Sequence, residues 1–362
     1  MKTKQEWMNL ALNLAEATIG QTSPNPSVGA VMVKNGELLG VGTHLKAGEA
    51  HAEVHAIEQA GSKTKGAELY VTLEPCAHYG QTPPCAELIV HHQLKKVYIA
   101  CLDPNPKVAG KGVEILEHAG VEVEVGLLEQ RALTINQHFF HYQHKRRPFV
   151  TLKAAMTLDG KTATSTGDSK WITSASARID VHRQRHRHDA ILVGRNTVIE
   201  DNPSLTTRLA GGGKDPIRVI LDTKLSLQGD LAIFDEQADT WLVCGNQADK
   251  EAFCQQHPEV KVIQLSSARI DMTDLLEILA EEGIQSLYVE GGATVHRSFL
   301  EEQLVDECHW YIAPKLLGGQ DAQAVIGGIS PQWMQEASDF TFSQIEQIGP
   351  DLKIIATPKE DV

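Results

Sequence analysis

The sequence contains no long apolar run, no low-complexity tract and no internal repeat. Of its 362 residues, 42% are hydrophobic and 22% are charged, which is typical of globular domains. The N-terminal apolar residues recur at helical spacing but are interrupted by Asn and Glu, so we expect neither a membrane span nor a secretory signal. We therefore expect a cytoplasmic protein, in which six cysteines are more typical of metal ligands or buried thiols than of disulfides.

The sequence also has no excess of positive charge. The net charge is −14, and nearly all of it belongs to residues 148–362. Binding to a nucleic acid depends on neutralising many phosphates, so this balance disfavours a nucleic-acid partner. The contrast in charge also indicates a domain boundary near residue 147, and a chain of this length is expected to form two domains.

The order of predicted elements indicates an α/β protein with domains 1–146 and 147–362. In the first domain, residues 27–44 predict two strands joined by an Asn35-Gly36 turn, followed by alternating helices and strands of a mixed sheet. We interpret the basic segment 141–148 as the linker, with the end of a charged helix as the alternative. The second domain alternates apolar strands with helices again but repeats nothing of the first, so two different folds are expected.

One histidine and two cysteines have the residue types of a zinc site. His51 lies in HAEVHA, and Cys76 and Cys85 lie in EPCAHYGQTPPC. A catalytic zinc ion takes three protein ligands of this kind and keeps a fourth position open for water. Pro75 and Pro84 each precede a cysteine, and proline favours the first turn of a helix. We therefore expect the cysteines at helix starts, where a thiol ionises more readily.

Glu53 follows His51 by two residues, and we expect it to move protons rather than to bind the metal. Residues two apart on a regular helix point about 200° apart, so both can face one ion only where a loop meets a helix. The pattern is that of zinc deaminases of nucleobases, although here eight residues separate the cysteines. Three alternatives stay open: a core histidine with inert thiols, a closed structural site with His44, His55 or His78 as fourth ligand, and a zinc-stapled binding protein without turnover.

Four motifs together resemble the deaminase half of the bifunctional riboflavin-biosynthesis deaminase–reductase family. They are PNPSVGAVMV (24–33), HAEVHA (51–56), VTLEPCAHYGQTPPC (71–85) and DPNPKVAGKG (103–112). The resemblance implies a cytidine-deaminase-like αβα layer fold, one zinc ion per chain, and removal of an exocyclic amine from a phosphoribosylated diaminopyrimidinone. It also implies substrate contacts at Asn25, His44, His78 and Asn105, for which ordinary turn capping is the alternative. Gln81 departs from the family pattern, in which a basic residue is expected.

The second domain lacks a G-x-G-x-x-G motif, so the Rossmann dinucleotide fingerprint is absent. Residues 288–300, YVEGGATVHRSFL, instead predict a strand, a Gly-Gly turn and a helix whose first N–H groups could hold a pyrophosphate. A plain packing turn is the alternative. Three further stretches accompany it: LKAAMTLDGKTAT (152–164), GDSKWIT (167–173) and the arginine-rich helix with DNPSLTTR (179–208). Arg185 and Arg208 in the last of these could grip a phosphate as forked donors.

These stretches resemble the reductase half of the same family, from about Pro148 to Leu317. The resemblance implies a dihydrofolate-reductase-like α/β fold and NADPH as hydride donor to the sugar C1′, which turns a ribosyl into a ribityl chain. It implies that Lys153 assists opening of the sugar ring. The implied cofactor contacts are Ala155, Trp171, Thr197, Asp201, Thr223, Gly292, Ala293, Thr294, Val295, His296, Arg297 and Ser298. The implied substrate contacts are Ser169, Arg185, Leu205, Arg208 and Glu290.

The two halves also follow the family's order along the chain. We therefore expect a bifunctional enzyme that acts on a small phosphoribosyl pyrimidine, and the resemblance suggests a homo-oligomer. The competing hypothesis is a nucleic-acid base or nucleoside deaminase with an unrelated C-terminal binding module.

Overall fold

The computed structural model describes residues 2–79, 83–105 and 108–359. The chain divides into two compact units, residues 1–146 and 147–362. Within the described ranges, helices are too short or too polar to cross a bilayer. All six cysteines lie in these ranges, and all six are free thiols.

The first unit is built around a five-stranded sheet. Its described helices and strands are α1 (Lys4–Glu16), β1 (Gly29–Lys34), β2 (Glu37–Thr43), α2 (Ala52–Ala60), β3 (Glu68–Val71), α3 (Cys85–His91), β4 (Lys96–Ile99), α4 (Lys111–His118), β5 (Glu122–Val125), α5 (Glu129–Ile135) and α6 (Gln137–Lys145). The strand order is β2-β1-β3-β4-β5. The pairs β1–β2 and β1–β3 are antiparallel, whereas β3, β4 and β5 run parallel. The expected mixed sheet is confirmed.

The strand β1 shows why helices cover both faces of this sheet. Ala30 and Met32 pack into one apolar cluster with α2 and α3, while Val31 and Val33 pack into another with α1. Successive side chains of a strand point to opposite faces, so an uninterrupted apolar strand needs cover on both. The predicted Asn35-Gly36 turn joins β1 to β2, and both of its residues have positive φ, 51° and 79°.

The prediction of a linker at residues 141–148 is wrong for residues 141–145. Residues 141–145 form the end of α6, which ends at Arg146 in a left-handed conformation. The charged-helix alternative was the better interpretation of this basic run. Exposed polar residues fit the solvent face of a helix as well as they fit a linker, so composition could not separate the two.

The second unit contains a larger sheet. Its described helices and strands are β6 (Phe149–Thr157), β7 (Lys161–Ala163), α7 (Ala175–Arg187), β8 (Ala190–Gly194), α8 (Arg195–Asp201), β9 (Ile217–Leu221), β10 (Thr240–Cys244), α9 (Lys250–Gln256), β11 (Lys261–Gln264), α10 (Met272–Glu281), β12 (Ser286–Val289), α11 (Ala293–Glu301), β13 (Glu307–Ala313), β14 (Gln323–Ala324), β15 (Phe340–Ile348) and β16 (Asp351–Pro358). Nine strands form one sheet in the order β11-β10-β9-β8-β12-β6-β13-β16-β15. In this order, the strands from β11 to β13 all run parallel. β16 pairs antiparallel with β13, and β15 pairs antiparallel with β16.

The parallel strands are apolar on both faces, as a sheet between two layers of helices requires. Leu192 and Val219 belong to the cluster that packs on α10 and α11, while Ile191 and Ile220 belong to the cluster on the opposite face. Because parallel strands end at one edge, the residues that follow β6, β8, β9 and β12 are brought to the same side of the unit.

Candidate active sites

His51, Cys76 and Cys85 lie together in the first unit. The Nδ1 atom of His51 is 3.6 Å from Sγ of Cys76 and 3.3 Å from Sγ of Cys85, and all three ligand atoms lie within 4.8 Å of one another. Two ligands of one tetrahedral zinc ion are about 3.5 Å apart, so the donor set fits zinc in chemistry and in spacing. In the described part of the chain the cluster comprises these three residues alone. The closed site with a fourth ligand from His44, His55 or His78 therefore finds no support.

Two helix starts and an irregular segment bring the three ligands together. Cys76 lies in the irregular segment after β3, so the expectation that both cysteines begin helices is wrong for Cys76. His51 is the extended residue immediately before α2, with φ −75° and ψ 163°, and Cys85 is the first residue of α3, after Pro84. The backbone N–H of Cys85 donates to Sγ of Cys76 over 3.2 Å. Donation from the side chain and backbone of Cys85, and from His51, lowers the pKa of the Cys76 thiol. These donors favour the thiolate of Cys76. The hydrogen bond with Cys76, burial and the charge of Glu53 raise the pKa of the Cys85 thiol, so the easier ionisation expected at a helix start is not found there.

Glu53 lies in the first turn of α2, two residues after His51, and is 3% exposed. Burial and the neighbouring Cys76 raise the pKa of Glu53 to about 7, and a bound cation would lower it again. Glu53 lines the same pocket as His51 and Cys76 without belonging to the ligand cluster. A carboxyl group placed in this way can accept and release a proton beside the metal position.

The pocket over the cluster is lined by all four residues predicted to contact the substrate: Asn25, His44, His78 and Asn105. Asn25 donates from Nδ2 to Nε2 of His44 over 3.1 Å, and Nδ1 of His44 donates to the carbonyl oxygen of Ala50 over 3.1 Å. These two contacts fix the orientation of the imidazole. The sequence motifs therefore converge on one concave site, while the roles of the four residues stay predictions.

Glu74 also lines this pocket, although no sequence motif points to it. Its buried carboxylate accepts backbone N–H groups of Asp103 (3.2 Å), Gly110 (3.0 Å), Gly112 (2.9 Å) and Val113 (3.3 Å). It thereby ties the chain on both sides of Asn105 to the segment that carries Cys76. Gln81, where the family pattern has a basic residue, lies outside the described residues.

The second unit contains a buried charge cluster at the end of β12. Glu290 accepts from Nε and Nη2 of Arg185 over 2.6 and 3.2 Å, and from Nζ of Lys153 over 3.1 Å. Burial opposes ionisation, yet the charges of Arg185 and Lys153 hold the pKa of Glu290 well below its usual range. Three predicted residues from β6, α7 and the end of β12 are thus brought together, and Lys153 is fixed in a defined position.

The segment from Leu205 to Arg208 adjoins this cluster through Arg185. Nη1 of Arg185 donates to the carbonyl oxygen of Thr206 over 2.9 Å, and Nη1 of Arg208 donates to Oγ1 of Thr206 over 3.0 Å. Leu205 is buried and has a positive φ of 55°. Because every nitrogen of Arg185 that can donate already contacts protein, Arg208 is the better placed of the two arginines for a phosphate.

Ser169 and Trp171 line a separate pocket together with Thr157 and Lys315. The Trp171 ring is 63% exposed and lies 4.5 Å from Cζ of Arg178, and its carbonyl oxygen accepts from Nζ of Lys315 over 2.7 Å. An exposed indole held in this way offers a flat face to a planar ring. Ala155 lies on β6 two residues beyond Lys153 and is paired with Tyr311 of β13.

The predicted cofactor segment from Gly292 to Ser298 belongs to α11 from Ala293 onwards, so the strand, Gly-Gly turn and helix predicted for residues 288–300 are confirmed. Gly292 precedes α11, and its Cα lies against Thr197 of α8: a Cβ on Gly292 would be 3.6 Å from Thr197 Oγ1. Only the first turn of a helix has N–H groups without helical partners, and the N–H of Val295 already donates to the carbonyl oxygen of Gly292. It is therefore the start of α11, from Gly292 to Thr294, that suits a phosphate.

The later residues of α11 have partners within the protein. His296 contacts the carbonyl oxygen of Val325, Arg297 pairs with Glu301, and Ser298 donates to the carbonyl oxygen of Thr294. Asp201 ends α8 one helical turn after Thr197 and shares its face, and Thr223 is exposed just after β9.

Comparisons with known proteins find a family match in each unit. Residues 1–101 match the family described as the cytidine and deoxycytidylate deaminase zinc-binding region, and residues 148–354 match the RibD C-terminal domain. The riboflavin biosynthesis protein RibD of Bacillus amyloliquefaciens is 53% identical over 99% of this chain and 97% of its own length. A solved structure of Acinetobacter baumannii RibD is 40% identical with a TM-score of 0.90, and covers 98% of both chains. The Thermotoga maritima diaminohydroxyphosphoribosylaminopyrimidine deaminase/5-amino-6-(5-phosphoribosylamino)uracil reductase is 38% identical with a TM-score of 0.89, and covers 98% of both chains.

The fold and the sites define a bifunctional enzyme in which a cytidine-deaminase-like domain with a zinc-binding region precedes a reductase domain. Identity extends over nearly the whole length of this chain and of its relatives. The chain belongs to the RibD family of riboflavin biosynthesis proteins.

Proposed function

We propose that this protein catalyses two consecutive steps on a phosphoribosylated pyrimidine. Residues 1–146 hydrolytically deaminate 2,5-diamino-6-(5-phosphoribosylamino)pyrimidin-4(3H)-one, and residues 147–362 then reduce the ribosyl side chain with NADPH. The product is 5-amino-6-(5-phosphoribitylamino)uracil. The observation that carries the proposal is the pocket in which His51, Cys76 and Glu53 meet Asn25, His44, His78 and Asn105, in a chain that also has the reductase domain of its family.

In the deaminase, His51, Cys76 and Cys85 would hold one zinc ion per chain. Bound zinc supplies a Lewis acid that makes water nucleophilic at neutral pH. The carboxyl oxygens of Glu53 take a proton from the attacking water and deliver it to the leaving nitrogen, which departs as ammonia. The amide of Asn25 and the ring of His44 orient the pyrimidine, and His78 and Asn105 also contact it. Glu53 is 3% exposed, which shields this proton transfer from bulk water.

In the reductase, Lys153 is the candidate catalytic residue. NADPH supplies the hydride that reaches C1′ of the sugar. The ammonium of Lys153 is held by Glu290, and it would donate a proton to the ring oxygen as the sugar opens. Glu290 keeps that ammonium in place and is itself held by Arg185, and Arg208, Ser169 and Leu205 contact the substrate.

The cofactor is proposed to lie across several strand ends. Its contacts include Ala155, Trp171, Thr197, Asp201 and Thr223, with the start of α11 at the pyrophosphate. Free thiols at all six cysteines are in keeping with a cytoplasmic enzyme. We also propose a homo-oligomer, because the edge strand β15 exposes Phe342 and Ile345.

The Glu53→Gln variant tests the deaminase assignment. The amide has nearly the same shape but cannot move the proton, so we expect zinc content equal to wild type and deamination reduced by at least about a hundredfold. Zinc is measured by mass spectrometry, and turnover by release of ammonia from the diaminopyrimidinone. The reductase step, followed on the deaminated pyrimidine by loss of NADPH absorbance, serves as the internal control. Wild-type rates of deamination in this variant would refute the role of Glu53.

The competing nucleic-acid deaminase is tested on the same preparations. Family membership over the full chain and the charge of −14 disfavour it. A gel shift with single-stranded DNA and RNA is expected to show no complex at micromolar protein. Turnover of a base within an oligonucleotide, without turnover of the phosphoribosyl pyrimidine, would replace the proposed substrate.

A further inference from the structure

Three neighbouring strands determine which residues lie side by side at the sheet edge where the cofactor is proposed to bind. β12 pairs with β8, β8 pairs with β9, and all three are parallel, so their carboxyl ends lie side by side. Glu290 follows β12, Arg195 follows β8, and Asp222 follows β9. Adjacent strands are about 4.8 Å apart. The edge therefore leads from the buried Lys153–Glu290 pair across the start of α11 to Arg195 and the turn after β9.

This order gives the cofactor a direction, provided that the proposed reduction by NADPH is correct. The hydride must reach a substrate near Lys153, which is on β6, on the other side of β12 from β8. The pyrophosphate belongs at the start of α11, which follows β12. The adenosine half must then extend away from Lys153, toward the ends of β8 and β9. Arg195 begins α8, two residues before Thr197, whose hydroxyl lies against Gly292.

The side chain of Arg195 is held in place by the turn after β9. Its Nε donates to Oγ of Ser226 over 2.6 Å, and the Ser226 hydroxyl donates to Oδ1 of Asp222 over 3.0 Å. Asp222 also accepts the backbone N–H groups of Ser226 and Leu227 over 2.6 and 2.8 Å. The carboxylate is thus occupied within its own turn, and its nearest approach to Arg195 is 4.0 Å.

The guanidinium retains donors that these contacts do not use. Among the contacts described, Nη1 makes a single 3.3 Å bond to Asn196 and Nη2 makes none. The side chain is 40% exposed. Thr223 and Lys224, both exposed, follow in the same turn and add a hydroxyl and a second cation. A guanidinium fixed at Nε with a free terminal nitrogen suits a phosphate that arrives from solvent.

We propose that Arg195 binds the 2′-phosphate of the cofactor's adenosine and thereby determines the preference for NADPH over NADH. The 2′-phosphate is the group by which the two cofactors differ. Arg195 is a specificity-determining residue in this assignment and takes no part in hydride transfer.

Titration calorimetry on the full-length, zinc-loaded protein tests the assignment without catalysis. The probes are adenosine 2′,5′-bisphosphate against 5′-AMP, and NADPH against NADH. Wild type is expected to prefer the phosphorylated member of each pair. Arg195→Gln is expected to reduce each preference by about tenfold or more, because a charge-assisted bond is lost, while the Kd for NADH and 5′-AMP changes less than about twofold. Arg195→Lys keeps the charge without the fork and should fall between the two.

Lys261→Gln is the matched control. Lys261 starts β11 at the opposite edge of the sheet, has a similarly exposed side chain at 38%, and pairs with Glu282. Its removal should leave both preferences unchanged, and thermal unfolding of all variants checks that they fold. If wild type prefers NADPH and Arg195→Gln keeps that preference, this assignment is overturned while the proposed reductase stands. If wild type binds neither NADPH nor NADH, the proposed reductase function fails, and this assignment fails with it.

Discussion

At the scale of single residues, Glu74 shows how a side chain outside the chemistry can control the deaminase pocket. Its two carboxylate oxygens together accept four backbone N–H groups from residues 103–113. We predict that Glu74→Gln destabilises the first unit by about 1–3 kcal/mol, because the amide nitrogen would face N–H donors and leave them unsatisfied. Deamination should fall with it, mainly through a higher KM, since Asn105 lies in the released segment.

Thermal unfolding, zinc content and hydrogen exchange of residues 108–113 measure this effect. Glu58→Gln is the control, because Glu58 is exposed on α2 and its substitution removes the same single negative charge. Unchanged exchange and an unchanged KM in Glu74→Gln would contradict the positioning role.

The sequence identified some site residues and missed others for a physical reason. The sequence pattern alone could select four residues, because their types and spacing are those of a zinc deaminase: His51, Glu53, Cys76 and Cys85. Glu74 is an ordinary carboxylate whose partners are backbone groups about thirty to forty residues away. Such contacts depend on the tertiary fold and leave no local pattern.

At the scale of elements, the approach of α2 to β2 positions the metal ligands. A Cβ added at Gly42 would lie 2.0 Å from the carbonyl oxygen of Ala52, the residue between His51 and Glu53. The helix can lie this close only because the strand has no side chain there. We predict that Gly42→Ala pushes the start of α2 outward, costs about 1–3 kcal/mol, and weakens zinc binding.

Competition with a zinc-chelating dye measures the zinc affinity of this variant. Gly211→Ala is the control, since a Cβ at Gly211 meets nothing within 4 Å. NADPH binding should be the same in both variants. Wild-type zinc affinity in Gly42→Ala would show that α2 tolerates the displacement.

Some of the helices and strands could be predicted from the sequence, and others could not. The Asn35-Gly36 hairpin and the buried strands β8, β9 and β10 were predictable, because turn chemistry and continuous apolar runs are local signals. The hairpin of β15 and β16 was missed, because β15 is largely exposed and its residues FTFSQIEQI do not alternate strictly. Residues 141–145 were misassigned, because an exposed basic helix end and a linker have the same composition.

At the scale of the whole molecule, the nine-stranded sheet ends in β15, whose outer edge has no strand partner among the described residues. Phe342 and Ile345 on this strand are 63% and 58% exposed, and Trp333, which precedes the strand in the sequence, is 64% exposed. Exposed apolar side chains on a long edge strand are normally covered, since an open edge can pair with other chains. A second copy of this chain would cover them.

We therefore predict that the protein in solution has a mass that is a multiple of 39.6 kDa. Ile345→Lys should shift it to the mass of a single chain, because a charged side chain at the edge opposes pairing with a second strand. Light scattering coupled to size-exclusion chromatography measures both states. Leu38→Lys, on the edge strand β2 of the other sheet and 45% exposed, is the matched control and should leave the mass unchanged. If Ile345→Lys retains the wild-type mass, the subunits meet through another surface, and a wild-type mass of 39.6 kDa would remove the homo-oligomer altogether.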